Sequence, residues 1–162
     1  MRGYKLNKIK SVILLVGLLV STGASAEDVA QCSNPSGKGY FPNLGLVKKA
    51  DSGWSDEKIT GGITTLSKIS KGEYDILFVD TTKRIVSTTQ DGGKVYMLYL
   101  GEREASFLVV YRQTAEIYNF LVDNEGKAEY TNVITRAGDG VMITKASVMR
   151  GECKFVNLDL LR

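Results

Sequence analysis

The sequence predicts an all-β fold: an antiparallel meander of about eight strands, closed into a barrel or stacked as a two-sheet sandwich. Three observations carry that expectation. From Gly62 onward, runs rich in Val, Ile, Thr, Tyr and Phe alternate with turn-forming clusters, the residue types that pack on a pleated surface and the spacing expected of short antiparallel strands. The turns include Asp91-Gly92, Gly92-Gly93 and Asp123-Asn124-Glu125-Gly126, which accept positive φ at little cost. No stretch of the same region sustains helical periodicity.

In chain order, the expected strands are 63–69, 73–81, 83–89, 94–100, 106–112, 116–122, 130–136, 141–149 and 154–158. Within 73–81, Tyr74, Ile76 and Phe78 share one face, and Asp75, Leu77 and Val79 share the other. Gly101 to Ala105 forms a polar connection, and Ala137-Gly138-Asp139-Gly140 a turn. Ahead of the first strand lies an irregular segment, Cys32 to Ile59, with both prolines and the turn-formers Asn34-Pro35-Ser36-Gly37 and Tyr40-Phe41-Pro42-Asn43. A short helix is expected near Trp54, where Ser55 can cap a turn containing Asp56 and Glu57.

Residues 1–26 read as a secretory signal. Arg2, Lys5, Lys8 and Lys10 form a basic n-region, Val12 to Val20 an apolar run, and Ala24-Ser25-Ala26 a cleavage pattern that leaves Glu27 first. The run is shorter than the roughly 20 residues that span a bilayer. Cys32 follows Gln31 rather than small residues, unlike a lipoprotein acceptor. The expected product is a single exported domain, 27–162, periplasmic or secreted, with no stable membrane insertion once the signal is gone.

Removing 26 of the 162 residues leaves 136, and four of the 21 basic side chains go with them. Seventeen basic residues then face 18 acidic ones, a net charge of −1. The apparent basic balance belongs to the export signal, so nucleic acid is not an expected partner.

Cys32 and Cys153 are the only cysteines, and an oxidising compartment favours a bridge between them. Closing a loop of 121 positions would stabilise the fold by roughly 4–5 kcal/mol in the loop-entropy account. It also requires the two ends of the domain to lie side by side.

The chain has no histidine, which removes His-based triads and His-ligated metals. Nucleophile elbows, phosphate loops and dinucleotide fingerprints are absent too. No catalytic residue, metal or cofactor is therefore assigned. Ser36-Gly37-Lys38-Gly39 neither follows a strand nor opens a long helix, and reads as a turn. With Tyr40 it resembles the S-G-x-x-Y motif of periplasmic lysozyme inhibitors of the small β-barrel type. The match covers five residues, directly follows the first cysteine where that family does not carry it, and lacks the companion motif. Gly53 and Trp54 are adjacent, whereas lipocalin barrels carry G-x-W. No family is assigned on either resemblance.

Val95 to Leu100 and Phe107 to Tyr111 are apolar on both faces, so each face calls for cover. The segment Cys32 to Ile59 is the favoured cover, with a partner subunit or an apolar ligand as alternatives. The candidate ligand or interface aromatics are Trp54, Tyr96, Tyr99, Phe107, Tyr111 and Tyr118; for Trp54, a plug at the end of the barrel is the favoured reading and sugar stacking the other. The leading function is a non-enzymatic binding module for a small apolar ligand or a protein partner. An inhibitor or interaction protein acting on an extracellular enzyme through loops such as 101–105 comes second, and a carboxylate-dependent enzyme third.

Overall fold

The computed structural model describes residues 26–79 and 82–162; the signal segment ahead of Ala26 and Asp80 lie outside them. Ten strands run in the order β1 (Glu27–Phe41), β2 (Gly53–Lys58), β3 (Ile63–Ser70), β4 (Glu73–Val79), β5 (Ile85–Ser87), β6 (Lys94–Leu100), β7 (Glu104–Val110), β8 (Thr114–Val122), β9 (Ala128–Arg136) and β10 (Lys145–Val156). Every pairing is antiparallel. Nine of the strands form one path, β5-β4-β3-β1-β10-β9-β8-β7-β6, curled into a half-barrel; β2 pairs with β1 off that path.

The antiparallel all-β expectation holds, and the strand at 94–100 falls where the alternation puts it. The N-terminal region departs from it. Cys32 to Ile59 is not irregular: β1 is the longest strand, and β2 runs back along its second half. β3 then pairs with its first half. The two halves are separated at Asn34-Pro35, since Pro35 has no N–H to give the ladder. Asn34 takes φ +50°, and its Oδ1 accepts from Gly61 N at 2.8 Å.

Ser36 to Tyr40 is thus strand, not turn. Gly37 and Gly39 are needed there because backbone and side chains approach closely, not because the chain reverses. A Cβ on Gly37 would lie 1.9 Å from the Val148 carbonyl oxygen, and one on Gly39 would lie 2.7 Å from Glu57 Oε2. The expected break near 150–153 is absent for a similar reason. Gly151 continues β10 opposite Tyr130, and the Tyr130 ring covers the space a side chain would take. Before Trp54 there is only a one-turn 3-10 helix, Lys49–Asp51.

Cys32 and Cys153 are bonded and sit opposite one another in the β1–β10 ladder. The ends of the domain are adjacent strands, so the bridge reinforces a pairing that the chain makes only at its greatest separation.

The concave face holds the core. Phe107, Phe120, Val109, Leu66, Ile76 and Val29 are fully buried. Tyr118, Phe120 and Tyr130 lie nearly parallel, with Phe107 edge-on to Phe120 and Tyr74 edge-on to Phe107 at 5.2 Å. One end is sealed by the C-terminal 3-10 turn Leu158–Leu161, whose Leu158 and Leu161 enter the core. Asn157 N donates to Val29 O at 2.7 Å, Lys68 Nζ to Leu160 O at 2.6 Å and Arg162 to Gly101 O at 3.0 Å. The opposite end is open.

A candidate binding cleft at the open end

At the open end the inward positions of β8, β9 and β10 change from aromatic to charged. Glu116 pairs with Ile134, Tyr118 with Asn132 and Lys145 with Arg136, so alternate residues bring Glu116, Arg136 and Lys145 onto the same concave face as Phe120 and Tyr130. Tyr118 Oη donates to Glu116 Oε2 at 2.5 Å. Burial pushes the Glu116 carboxyl above its ordinary range, against the opposing pull of the Tyr118 hydrogen bond and of Arg136 and Lys145. Burial, then the Glu116 charge, pushes Tyr118 well above its ordinary value.

Lys145 is already engaged. Its Nζ lies 2.6 Å from Glu57 Oε1, with both side chains largely buried, and 5.8 Å from the centroid of the Phe41 ring. Glu57 reaches it by lying across the bare backbone of Gly39. Arg136 and Arg112 differ: among the described residues neither guanidinium makes a hydrogen bond or an ion pair.

Two connected lobes open here. The inner one, about 250 Å³, is walled by Ile59, Ile63, Phe78, Ile134 and Met149, with Tyr118 and Tyr130 at its polar margin. The outer one, about 580 Å³, lies between the Asp91-Gly92 turn and Gly140 to Met142, and is lined by Tyr111, Arg112 and Gln113. Phe78, Glu116 and Arg136 line both.

The sequence-derived aromatics do not converge. Phe107 is in the solid core; Tyr118 is buried with its hydroxyl at the cleft; Tyr111 borders the outer lobe. Tyr96 and Tyr99 are exposed on β6, the last strand of the sheet, and the Cys32 to Ile59 segment does not cover them because it is paired with β10 and β3. Trp54 is no plug: it is 68% exposed on β2, its ring 5.4 Å from that of Tyr40.

Glu116, Arg136, Arg112 and Phe78 were not singled out from the sequence. The available signal was parity: Glu116 shares a face with Tyr118 and Phe120, and Arg136 with Tyr130, Asn132 and Ile134. A charge at an inward position of a core strand marks a place where the core stops. Asp75, the most buried acid, serves the fold. Its carboxylate accepts from Ser87 Oγ at 2.5 Å and from Thr89 N at 3.1 Å, tying down the β5–β6 turn. Among the described residues, no group of three or more Cys, Asp and Glu is placed to hold a metal ion, and no helix is long and apolar enough to cross a membrane.

No family model, curated protein or solved structure matches this chain. The reading of the cleft rests on its own chemistry.

Proposed function

We propose that the chain is an exported binding protein for a small amphiphile with an anionic head, held in the cleft at the open end of the half-barrel. The observation that carries this is Arg136, a guanidinium with no ion-pair partner among the described residues, standing where an apolar lobe meets a polar one. A guanidinium recognises carboxylate, sulfonate or phosphate by paired hydrogen bonds. The apolar body of the ligand would rest on Ile63, Phe78 and Ile134, and Arg112 supplies a second cation in the outer lobe. The buried disulfide suits an oxidising compartment, as does a chain led by a signal-like segment.

Two dyes separate the two halves of this recognition: the anionic amphiphile anilinonaphthalene sulfonate and the neutral dye Nile red. In fluorescence titrations the native protein binds both, and Arg136→Gln weakens the anionic dye by about tenfold, the loss of one charge-assisted contact, while changing the neutral dye little. Failure of the native protein to bind either dye, or equal affinity of Arg136→Gln for the anionic one, rejects the proposal.

A further inference from the structure

Arg136 does not stand alone in the wall between the two lobes: Glu116 lines both of them with it. In the β8–β9 ladder Glu116 is opposite Ile134, and Thr114 is opposite Arg136. The carboxyl and the guanidinium are therefore diagonal neighbours on one face, with Cβ atoms roughly 7 Å apart. An anionic head held by Arg136 is then also beside Glu116. The two oxygens of that carboxyl are not equivalent. Oε2 accepts from the Tyr118 hydroxyl at 2.5 Å, whereas Oε1 has no hydrogen-bond partner among the described residues. An ionised Glu116 would set a like charge against the anion and would itself attract the guanidinium. A neutral Glu116 does neither, and a proton on Oε1 can be donated to the anion in a charge-assisted hydrogen bond.

We infer that Glu116 is a second binding group for the ligand's head, and that the cleft takes up a proton from solvent with the anion it binds. The inference rests on the anionic amphiphile proposed above as the occupant of the cleft. The charges around Glu116 favour it. Arg136 on β9 and Lys145 on β10 both pull the carboxyl toward ionisation, yet burial outweighs them and keeps it above its ordinary range. Lys145 is already paired with Glu57 of β2, and an anion on Arg136 would offset the other cation. The remaining groups do not compete for the proton. Tyr118 on β8, Tyr130 on β9 and Tyr111 between β7 and β8 are pushed above the ordinary phenol value, so they stay neutral near pH 7. Phe78 is the contribution of β4, and Arg112 lies in the outer lobe. Glu116 and Asp91 are the two acids lining the lobes. Of these, only Glu116 neighbours Arg136 in the ladder.

Titration with anilinonaphthalene sulfonate between pH 5 and pH 8, at constant ionic strength, tests this, because the sulfonate stays ionised throughout. The wild type should lose affinity by about tenfold as pH rises, the effect of one like charge beside the bound anion. Glu116→Gln, which cannot ionise, should bind at pH 8 as tightly as at pH 5. Asp91→Asn should keep the wild-type pH dependence, and neutral Nile red should bind the wild type equally well across the range. Circular dichroism checks that each variant is folded. A wild type that needs Arg136 for the anionic dye but binds it with the same affinity at every pH overturns this inference and leaves the cleft reading standing. A pH dependence that persists in Glu116→Gln or vanishes in Asp91→Asn also overturns it, as does a parallel loss of Nile red. A wild type that binds neither dye at any pH rejects both readings.

Discussion

Gly37, opposite Met149 in the β1–β10 ladder, lies so close to Val148 that a methyl group on Gly37 would be 1.9 Å from the Val148 carbonyl oxygen. The contact lies within the ladder that joins the two ends of the domain, where no flexible side chain can give way. Gly37→Ala is therefore expected to cost about 3 kcal/mol, the upper range for overpacking. Gly126 provides the control. Its φ is +85° but the space around it is empty, so Gly126→Ala should cost only the left-handed backbone penalty of about 1 kcal/mol. Urea denaturation of the two variants checks the order, and equal losses would refute the close-approach account.

The Cys32–Cys153 bridge ties the same ladder. Replacing both cysteines with serine is expected to lower stability by about 4 kcal/mol, as for other long closed loops. Cys32 is almost completely buried, so reduction by dithiothreitol under native conditions should be slow and should speed up sharply in mild denaturant. Thiol quantification over time distinguishes this from an exposed, reactive bridge, which would reduce at once.

Glu116 makes stability depend on pH in a defined direction. Burial raises its folded-state pKa above the unfolded value of 4.5. The neutral form is therefore favoured by folding, and this contribution is fully present below 4.5 and lost as pH rises through the raised value. Glu116→Gln keeps an acceptor for Tyr118 and cannot ionise. Its Tm should exceed that of wild type at pH 8, and the gap should shrink as pH falls toward 4.5. A gap that widened on acidification would show that the carboxylate is stabilising as an anion.

Asp75, more deeply buried than Glu116, offers a contrast. Its carboxylate oxygens are committed to Ser87 and Thr89, so Asp75→Ala removes two hydrogen bonds to a charged acceptor and should cost about 2 kcal/mol. Hydrogen exchange is expected to accelerate first at Thr88 and Gly93, whose backbone hydrogen bonds with Ile76 and with each other close the β5–β6 turn. Uniform acceleration across the sheet would instead indicate a general loss of stability.

The exported chain should begin at Glu27, which is also the first residue of β1. Intact-mass measurement of protein recovered from culture fluid or periplasm should show the loss of residues 1–26 and of two hydrogens for the disulfide. A retained N-terminus would reject the signal reading.

The sequence by itself determined what local pattern can determine. Alternation and β-branched composition specified strands, Asp123 to Gly126 specified the β8–β9 hairpin, and two cysteines in a histidine-free chain specified a bridge. Asp91-Gly92 reads as a hairpin turn but joins β5 to β6, which sit at opposite ends of the sheet and do not pair. Glycine misled in both directions. Gly37, Gly39 and Gly151 look like turn residues, yet each sits inside a strand because the space beside it is taken by Val148, Glu57 or Tyr130. Those neighbours are remote in sequence, so no local pattern announces them. Tertiary structure alone decided which face of each strand is concave, because that depends on β1 joining β10 across the length of the chain. The same closure put Glu116 and Arg136 inside the mouth of the half-barrel and left Val148, Val133, Ile117 and Tyr96 in line on its outside. Period-two alternation says that a strand has two faces; only the curl of the sheet says which one meets the core.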